Sequence, residues 1–328
     1  MLNPYLHLNP KIFDADVEQK PTRDGFGTGI VALGEKDPNV VVLTADLSES
    51  TRADGFEKKF PERFFDVGVA EQNMVSVAAG LGVTGKTAFV SSYATFNPGR
   101  NWEQIRTNVV YNNANVKIAG HHSGIMTGPD GATHQATEDI ASVRAWPGMN
   151  IYVPCDAIEA RKVTIAAGMV YGPAYLRYSR DKTPLMTTEE TPFDKKVQAF
   201  WVTENPQTTI FAMGYMLFYA LLAAKELEQE GLQVLVANVS TLKPLDVDGV
   251  LALVEKSGSA VSVEDHQVAG GLGGLLAEVF AKHRPTPMEF IGLQDTFAES
   301  GKPGELVEKY GMGNHAIKDA VKKVIGRK

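Results

Sequence analysis

The feature that most restricts the fold is the run Val40-Val41-Val42-Leu43-Thr44. It is mostly β-branched and shows no alternation of apolar with polar residues. A strand with one face in water alternates, so this one must be covered on both faces, the condition of a parallel sheet between helices. A helix-like segment, Arg23 to Glu35, comes before it, and Pro38-Asn39 reads as the turn between. The theme repeats. A helix is expected from Glu71 to about Leu81, a strand over Ala88 to Ser91, a helix from about Asn101 to Tyr111, and a strand over Val116 to Ala119. Strands over Asn150 to Val153 and Ala174 to Tyr178 flank a helix over Asp156 to Val170, with Asp156 as its N-cap.

At 328 residues the chain has room for two domains. From Asp181 to about Gln207 it becomes rich in Thr, Glu, Pro and Lys, as a linker would. A second strand–helix series follows: strand Thr209 to Ala212, helix Leu217 to Glu230, strand Gln233 to Val239, helix Asp248 to Lys256, strand Ala260 to Glu264, helix Leu272 to His283, strand Met288 to Ile291 and a last helix from Asn314 to about Ile325. The expected organisation is an α/β parallel-sheet domain over residues 1–190, a linker over 191–206 and a smaller α/β domain over 207–328.

The net charge of −7 argues against a broad nucleic-acid footprint while allowing a local basic pocket. Cys155 is the only cysteine, so no intrachain disulfide can form and thiolate-rich metal sites are excluded. No run of apolar residues is long enough to span a bilayer, and Asn3, Pro4, His7, Asn9 and Pro10 interrupt any signal-like core. A soluble, cytoplasmic protein with a small-molecule partner is the expectation.

Ligands of such sheets bind beyond the carboxyl ends of the strands. Four polar clusters fall there: Asp46 to Ser50, Tyr93 to Phe96, His121-His122-Ser123 and Tyr178-Ser179-Arg180. Singly, each reads equally as a solvated loop; their recurrence at one sheet edge favours a site. Glu71 opens a helix of Met74, Val75, Val77, Ala78, Ala79 and Leu81 that has little polar face. It either complements the helix dipole or, if buried, requires a partner. Asp130 and His134, four apart in a Gly-rich loop, are too few for a metal site and suit a polar substrate loop. The strings Gly25-Phe26-Gly27-Thr28-Gly29 and Gly270 to Gly274 lack the context of a dinucleotide loop, and no nucleotide-phosphate loop occurs.

Asp66 to Met74 and Gly128 to Asp139, with Thr44 to Leu47, Thr241 to Asp246 and Val263 to His266 followed by Gly270 to Gly273, fall in an order that resembles the transketolase family of thiamine diphosphate enzymes. The resemblance spans the chain but only the second half of a single-chain transketolase. It implies a pyrimidine-binding domain followed by the transketolase C-terminal domain. The diphosphate-binding domain and its magnesium ligands would then lie on a separate partner subunit, in a heterotetramer inactive without it. Glu71 matches the glutamate that hydrogen-bonds the aminopyrimidine ring nitrogen, and Phe96 the aromatic packed on that ring, with Tyr93 and Trp102 as neighbours. Arg23, Ser50, His121 and Arg180 match the substrate phosphate cluster, with His122 as the alternative to His121. Asp130 matches the residue recognising a sugar hydroxyl, and His134 a polar neighbour along the substrate channel. The implied activity is transfer of a two-carbon ketol unit from a phosphorylated ketose to an aldose. The alternatives are a beta subunit of a 2-oxo acid dehydrogenase first component, which needs no sugar-phosphate clamp, a 1-deoxyxylulose-5-phosphate synthase, which normally carries both domains in one chain, and a noncatalytic subunit of the same fold.

Overall fold

The computed structural model describes all residues, 1–328. The first part runs β1 (Gln19–Lys20), α1 (Thr22–Lys36), β2 (Val40–Thr44), α2 (Ser48–Thr51), α3 (Asp54–Lys59), β3 (Phe64–Asp66), α4 (Glu71–Val83), β4 (Thr87–Tyr93), α5 (Trp102–Gln104), β5 (Val116–His121), α6 (Asp139–Arg144), β6 (Asn150–Tyr152), α7 (Ala157–Gly168), β7 (Ala174–Arg177) and β8 (Thr183–Pro184). The second runs β9 (Gln198–Trp201), β10 (Thr208–Ala212), α8 (Met216–Gln229), β11 (Val234–Asn238), β12 (Thr241–Lys243), α9 (Val247–Ser257), β13 (Ala260–Gln267), α10 (Leu272–His283), β14 (Met288–Leu293), α11 (Pro303–Lys309) and α12 (Asn314–Ile325).

The apolar run Val40–Thr44 is buried at every position, as its unbroken pattern requires. It pairs in parallel with β3 and β4 inside a seven-stranded sheet of order β12-β6-β7-β5-β4-β2-β3. The second sheet, β14-β13-β10-β11-β9, is parallel except at its β9 edge. On one face of the first sheet α1 lies directly on α7. A side chain at Gly25 would run into the Ala157 carbonyl, and one at Gly29 would meet the Thr164 Cβ at 2.8 Å. The glycine string of α1 thus serves helix packing, which is why it lacked the context of a cofactor loop. Asp156 caps α7 by accepting from the Glu159 N–H at 2.9 Å, and its other oxygen accepts from the Met186 and Thr187 N–H groups.

Several expectations need correction. The linker region contributes two short strands: β8 pairs with β1, and β9 is the edge strand of the second sheet. The amino-terminal segment, expected with the first domain, bridges Leu2 to Trp201 and buries Ile12 in the core under the second sheet. In turn β12, from the second half, pairs antiparallel with β6 of the first sheet. Apolar contact is therefore continuous between the domains, with Ile140, Trp146 and Val153 in one cluster with Phe211, Val239 and Leu272. The helix expected over 101–111 is a single α-turn that widens into a π-helix, Ile105–Tyr111, with Ile105 and Val109 buried. Finally, α4 is buried on one side only. Val77 and Val83 are 41% and 57% exposed, and Gln72, Asn73, Ser76 and Gly80 share that exposed side, where Gln72 donates to the Arg100 carbonyl and Ser76 accepts from Asn108.

Candidate functional site

Glu71 sits at the first position of α4, where free N–H groups favour a carboxylate. Its side chain is only 1% exposed, and Oε2 accepts from Arg100 Nη1 at 2.8 Å. Asn101 Nδ2 donates to the Glu71 carbonyl at 3.3 Å and to Asn97 Oδ1 at 2.9 Å, fixing the segment after β4 to the start of α4. Burying a charge so completely requires a partner, and the sequence had not named one. Arg100 is that partner. Its guanidinium lies 4.5 Å over the Phe96 ring.

From Phe96 a series of rings crosses the carboxyl edge of the sheet. Phe96 stacks on Tyr93 at 5.9 Å and meets His134 edge-on at 5.4 Å, and Tyr93 stacks on His122 at 3.8 Å. His134 Nδ1 is engaged by Thr133 Oγ1 at 2.9 Å. His122 is buried within electrostatic reach of Arg23 and Arg180, which with Arg52, Lys182, Asp24 and Asp181 line a pocket of about 380 Å³. Burial, then Arg23 and Arg180, push its imidazole down to about 3, so it is neutral at physiological pH. Arg23 Nη1 donates to the Ser50 carbonyl at 2.8 Å; Arg180 Nη1 donates to the Thr127 carbonyl at 2.8 Å and lies 3.7 Å from Asp130 Oδ1. Arg23 Nε and His122 Nδ1 are buried without any hydrogen-bond partner. Four cations outnumber the two carboxylates, Asp24 and Asp181, in the pocket lining, and donors remain free, the chemistry of an anion site.

The structure thus brings together Glu71, Tyr93, Phe96, His122 and His134, and beside them Arg23, Ser50, Asp130 and Arg180. Two expected residues fall elsewhere. His121 is fully buried between Phe26 and Tyr178 and bonds Ser91 Oγ through Nε2 at 3.2 Å; neither histidine lines the arginine pocket, and it is His122, stacked on Tyr93, that joins the series of rings. The reason is strand alternation: His121 ends β5 pointing into the sheet's helix layer, and His122, at positive φ, turns the other way. Trp102 packs on Trp146 at 5.1 Å and donates its N–H to the Ser142 carbonyl, away from Phe96. Arg52, Lys182 and Arg100 were missed. Each follows an expected residue by two to four positions, Ser50, Arg180 and Phe96, which is the only signal the sequence carried for them. No group of His, Cys, Asp and Glu could hold a metal ion.

Behind this edge lies a dry polar network between the domains. Arg177 Nε donates to Asp139 Oδ2 at 2.8 Å and its Nη2 to the carbonyls of Ala136 and Asp265, while Tyr175 O–H donates to the same Asp139 oxygen. Glu264 accepts from the Leu272 and Gly273 N–H groups at the start of α10, so the carboxyl group at that glycine-rich terminus is the protein's own; burial nonetheless pushes it up to about 8.

Comparison with known proteins agrees with this architecture. Residues 18–186 match the pyrimidine binding domain of transketolase and residues 198–317 the transketolase C-terminal domain. A putative transketolase C-terminal section from Methanocaldococcus jannaschii is 42% identical over 91% of this chain and 94% of its own length. A 6-deoxy-6-sulfo-D-fructose transketolase subunit from a Clostridium species is 36% identical over 96% of this chain and 98% of its own. The chain covers 48% of the mouse transketolase-like protein 2, at 33% identity. A solved split gene transketolase, described as an inactive beta4 tetramer, superposes with a TM-score of 0.87 at 41% identity, covering 93% of this chain and 98% of that one. Half-length against one set of relatives and full-length against another, with both domain types in order, this chain belongs to the transketolase family.

Proposed function

We propose that this chain is the pyrimidine-side subunit of a thiamine diphosphate-dependent enzyme that transfers a two-carbon ketol unit from an anionic ketose to an aldose, completed by a partner subunit that holds the diphosphate and its magnesium. The observation that carries this reading is the buried Glu71 beside the Phe96 ring, joined through Tyr93 to His122, which lies within electrostatic reach of the pocket arginines. A buried carboxylate and an aromatic face bridged by one planar group, the Arg100 guanidinium, fit an aminopyrimidine, which needs one acceptor at its edge and one apolar plane. When bound, thiamine diphosphate supplies the nucleophilic carbon and the electron sink for breaking the bond beside the ketose carbonyl.

The chain's own groups orient and clamp. Glu71 holds the proton at the ring nitrogen, and Phe96 packs the ring so that this hydrogen bond keeps one geometry. Arg23 and Arg180 grip the substrate anion with Ser50 and the neutral His122, and Arg52 adds charge at the pocket wall. Asp130, beside Arg180, is placed to accept from a sugar hydroxyl, and His134 lines the path between anion and ring. A 2-oxo acid brings only a single carboxylate charge and needs no sugar-phosphate clamp of this kind.

Two observations support the need for a partner. The exposed side of α4, with Val77 and Val83, adjoins Glu71, and the solved relative built of beta subunits alone is described as inactive. The donor is less defined. One relative is named for 6-deoxy-6-sulfo-D-fructose and another, 33% identical, for apulose 4-phosphate. The test is to purify the chain with any co-purifying subunit and titrate thiamine diphosphate with magnesium. Transfer to ribose 5-phosphate is then assayed from xylulose 5-phosphate, a sulfoketose and apulose 4-phosphate. Transfer that needs the second chain and vanishes in Glu71→Gln is expected; transfer by the chain alone, or by the Glu71→Gln enzyme, overturns the reading.

A further inference from the structure

The guanidinium of Arg100 occupies both surfaces that the proposed aminopyrimidine requires. Nη1 binds the Glu71 carboxylate at 2.8 Å, and the planar group covers Phe96 at 4.5 Å. One carboxylate oxygen and one ring face cannot serve arginine and a flat heterocycle together. Arg100 mimics that heterocycle closely: it is planar, donates in its plane and stacks through its face.

The backbone beneath is pinned while the side chain is not. The Arg100 N–H bonds the Phe96 carbonyl at 3.0 Å, its own carbonyl accepts from Gln72 Nε2 at 3.5 Å, and neighbouring Asn101 is anchored to the Glu71 carbonyl. The Arg100 side chain is 48% exposed, against 1% for Glu71. Rotation about its side-chain bonds alone would move the guanidinium from Phe96 into solvent, at little desolvation cost to itself. The force that returns it is the carboxylate, which is costly to leave buried and unpaired.

Resting on the function proposed above, we infer that Arg100 is a positioning residue. It stands in for the aminopyrimidine in the free subunit, keeping Glu71 paired and Phe96 covered, and swings out as the cofactor enters. Cofactor and arginine compete for one site, so the apparent cofactor affinity is reduced by the fraction of molecules in which Arg100 is closed.

The test uses the assembled two-subunit enzyme, with thiamine diphosphate and magnesium titrated by calorimetry and the melting temperature recorded with and without them. Arg100→Met, which removes the donor while keeping much of the stem, is expected to bind about tenfold more tightly, as if the closed form held some nine-tenths of the population. Its melting temperature should fall in the free enzyme and recover with cofactor, so that the cofactor-induced shift exceeds the wild-type shift. Arg100→Lys, still able to pair Glu71, should lie between. Unchanged affinity with equal melting losses in both states would make Arg100 merely structural, and weaker affinity would make it part of the cofactor's grip; either overturns the inference. Glu71→Gln separates this from failure of the underlying reading. It must lose affinity, and a wild-type enzyme that binds no cofactor, or a Glu71→Gln enzyme that binds normally, removes the site and the inference together.

Discussion

The molecule contains two buried carboxylate–arginine pairs with the same bond length, and they are built for opposite purposes. Glu71–Arg100 and Asp139–Arg177 both close at 2.8 Å on a carboxylate whose side chain is 1% exposed. Arg177 is itself buried, and its Nη2 donates to the carbonyls of Ala136 and Asp265, from both domains. Arg100 is half in solvent, with one bond to a side chain and one ring beneath it. A buried ion pair is costly to assemble and more costly to break on one side. Where both partners are fixed, the pair locks two domains in register. Where one can leave, the same energy holds a site ready for a competitor.

The largest effect that would test this contrast is at the fixed pair. Arg177→Met leaves Asp139 buried without its cation and removes the bonds to Ala136 and Asp265, so a loss of about 3–5 kcal/mol is expected, read as a lowered denaturation midpoint. The Arg100→Met loss should be smaller, since Glu71 keeps the favourable helix N-terminus and Arg100, half in solvent, gives up less burial. Equal losses from the two variants would erase the distinction. Glu71→Gln comes next and should leave the fold nearly intact. Its cofactor affinity should fall about 100-fold, near 2.7 kcal/mol, in calorimetry on the assembled enzyme.

How far this contrast could be read from sequence is itself instructive. Period and composition located most of the parallel strands of both sheets, because those strands are largely apolar and their helices break at turns, but they passed over the three-residue β3. They failed where tertiary pairing overrode local signal. Gln198–Trp201 looked like linker because the strand is only four residues long inside a stretch rich in Thr, Glu, Pro and Lys, and Thr241–Lys243 was assigned to no element because its partner, β6, lies some ninety residues earlier. At the site, Glu71 stood out as a carboxylate opening an apolar helix. Arg100 did not, since nothing in the spacing of Phe96 and Arg100 says that the segment folds back over α4. The choice between His121 and His122 was equally invisible, being decided by one backbone turn at the end of β5.

Histidine titration sharpens the comparison at intermediate energy. Burial lowers His266 in the fixed network to about 4 and, with help from Arg23 and Arg180, lowers His122 at the site to about 3. Both fall below the unfolded value, so between about pH 6.5 and 4 the unfolded chain binds more protons than the folded one. Stability therefore drops as pH falls through that window, by up to about 1.4 kcal/mol per pH unit for each such histidine. His122→Asn should make the acid limb shallower by one proton in denaturant midpoints taken from pH 7 to 5. A slope equal to wild type would mean that His122 is as solvated as in the unfolded chain.

The smallest expected change concerns a third carboxylate–arginine pair, at the pocket mouth. Arg52 Nε meets Asp24 Oδ1 at 2.8 Å, but the side chains are 44% and 34% exposed. In that setting the pair gains little from Coulomb attraction and is screened by salt, so Arg52→Ala should shift stability by less than about 0.5 kcal/mol. Its contribution should appear instead when an anion enters the pocket it shares with Arg23 and Arg180, because Asp24 neutralises only part of the local charge. KM for a phosphorylated ketose is expected to rise about threefold to tenfold with kcat nearly unchanged, and the rise should shrink as ionic strength increases and the Debye length contracts. A fall in kcat at constant KM would instead assign Arg52 to the transition state. That would make exposure a poor guide to which of the three pairs takes part in chemistry.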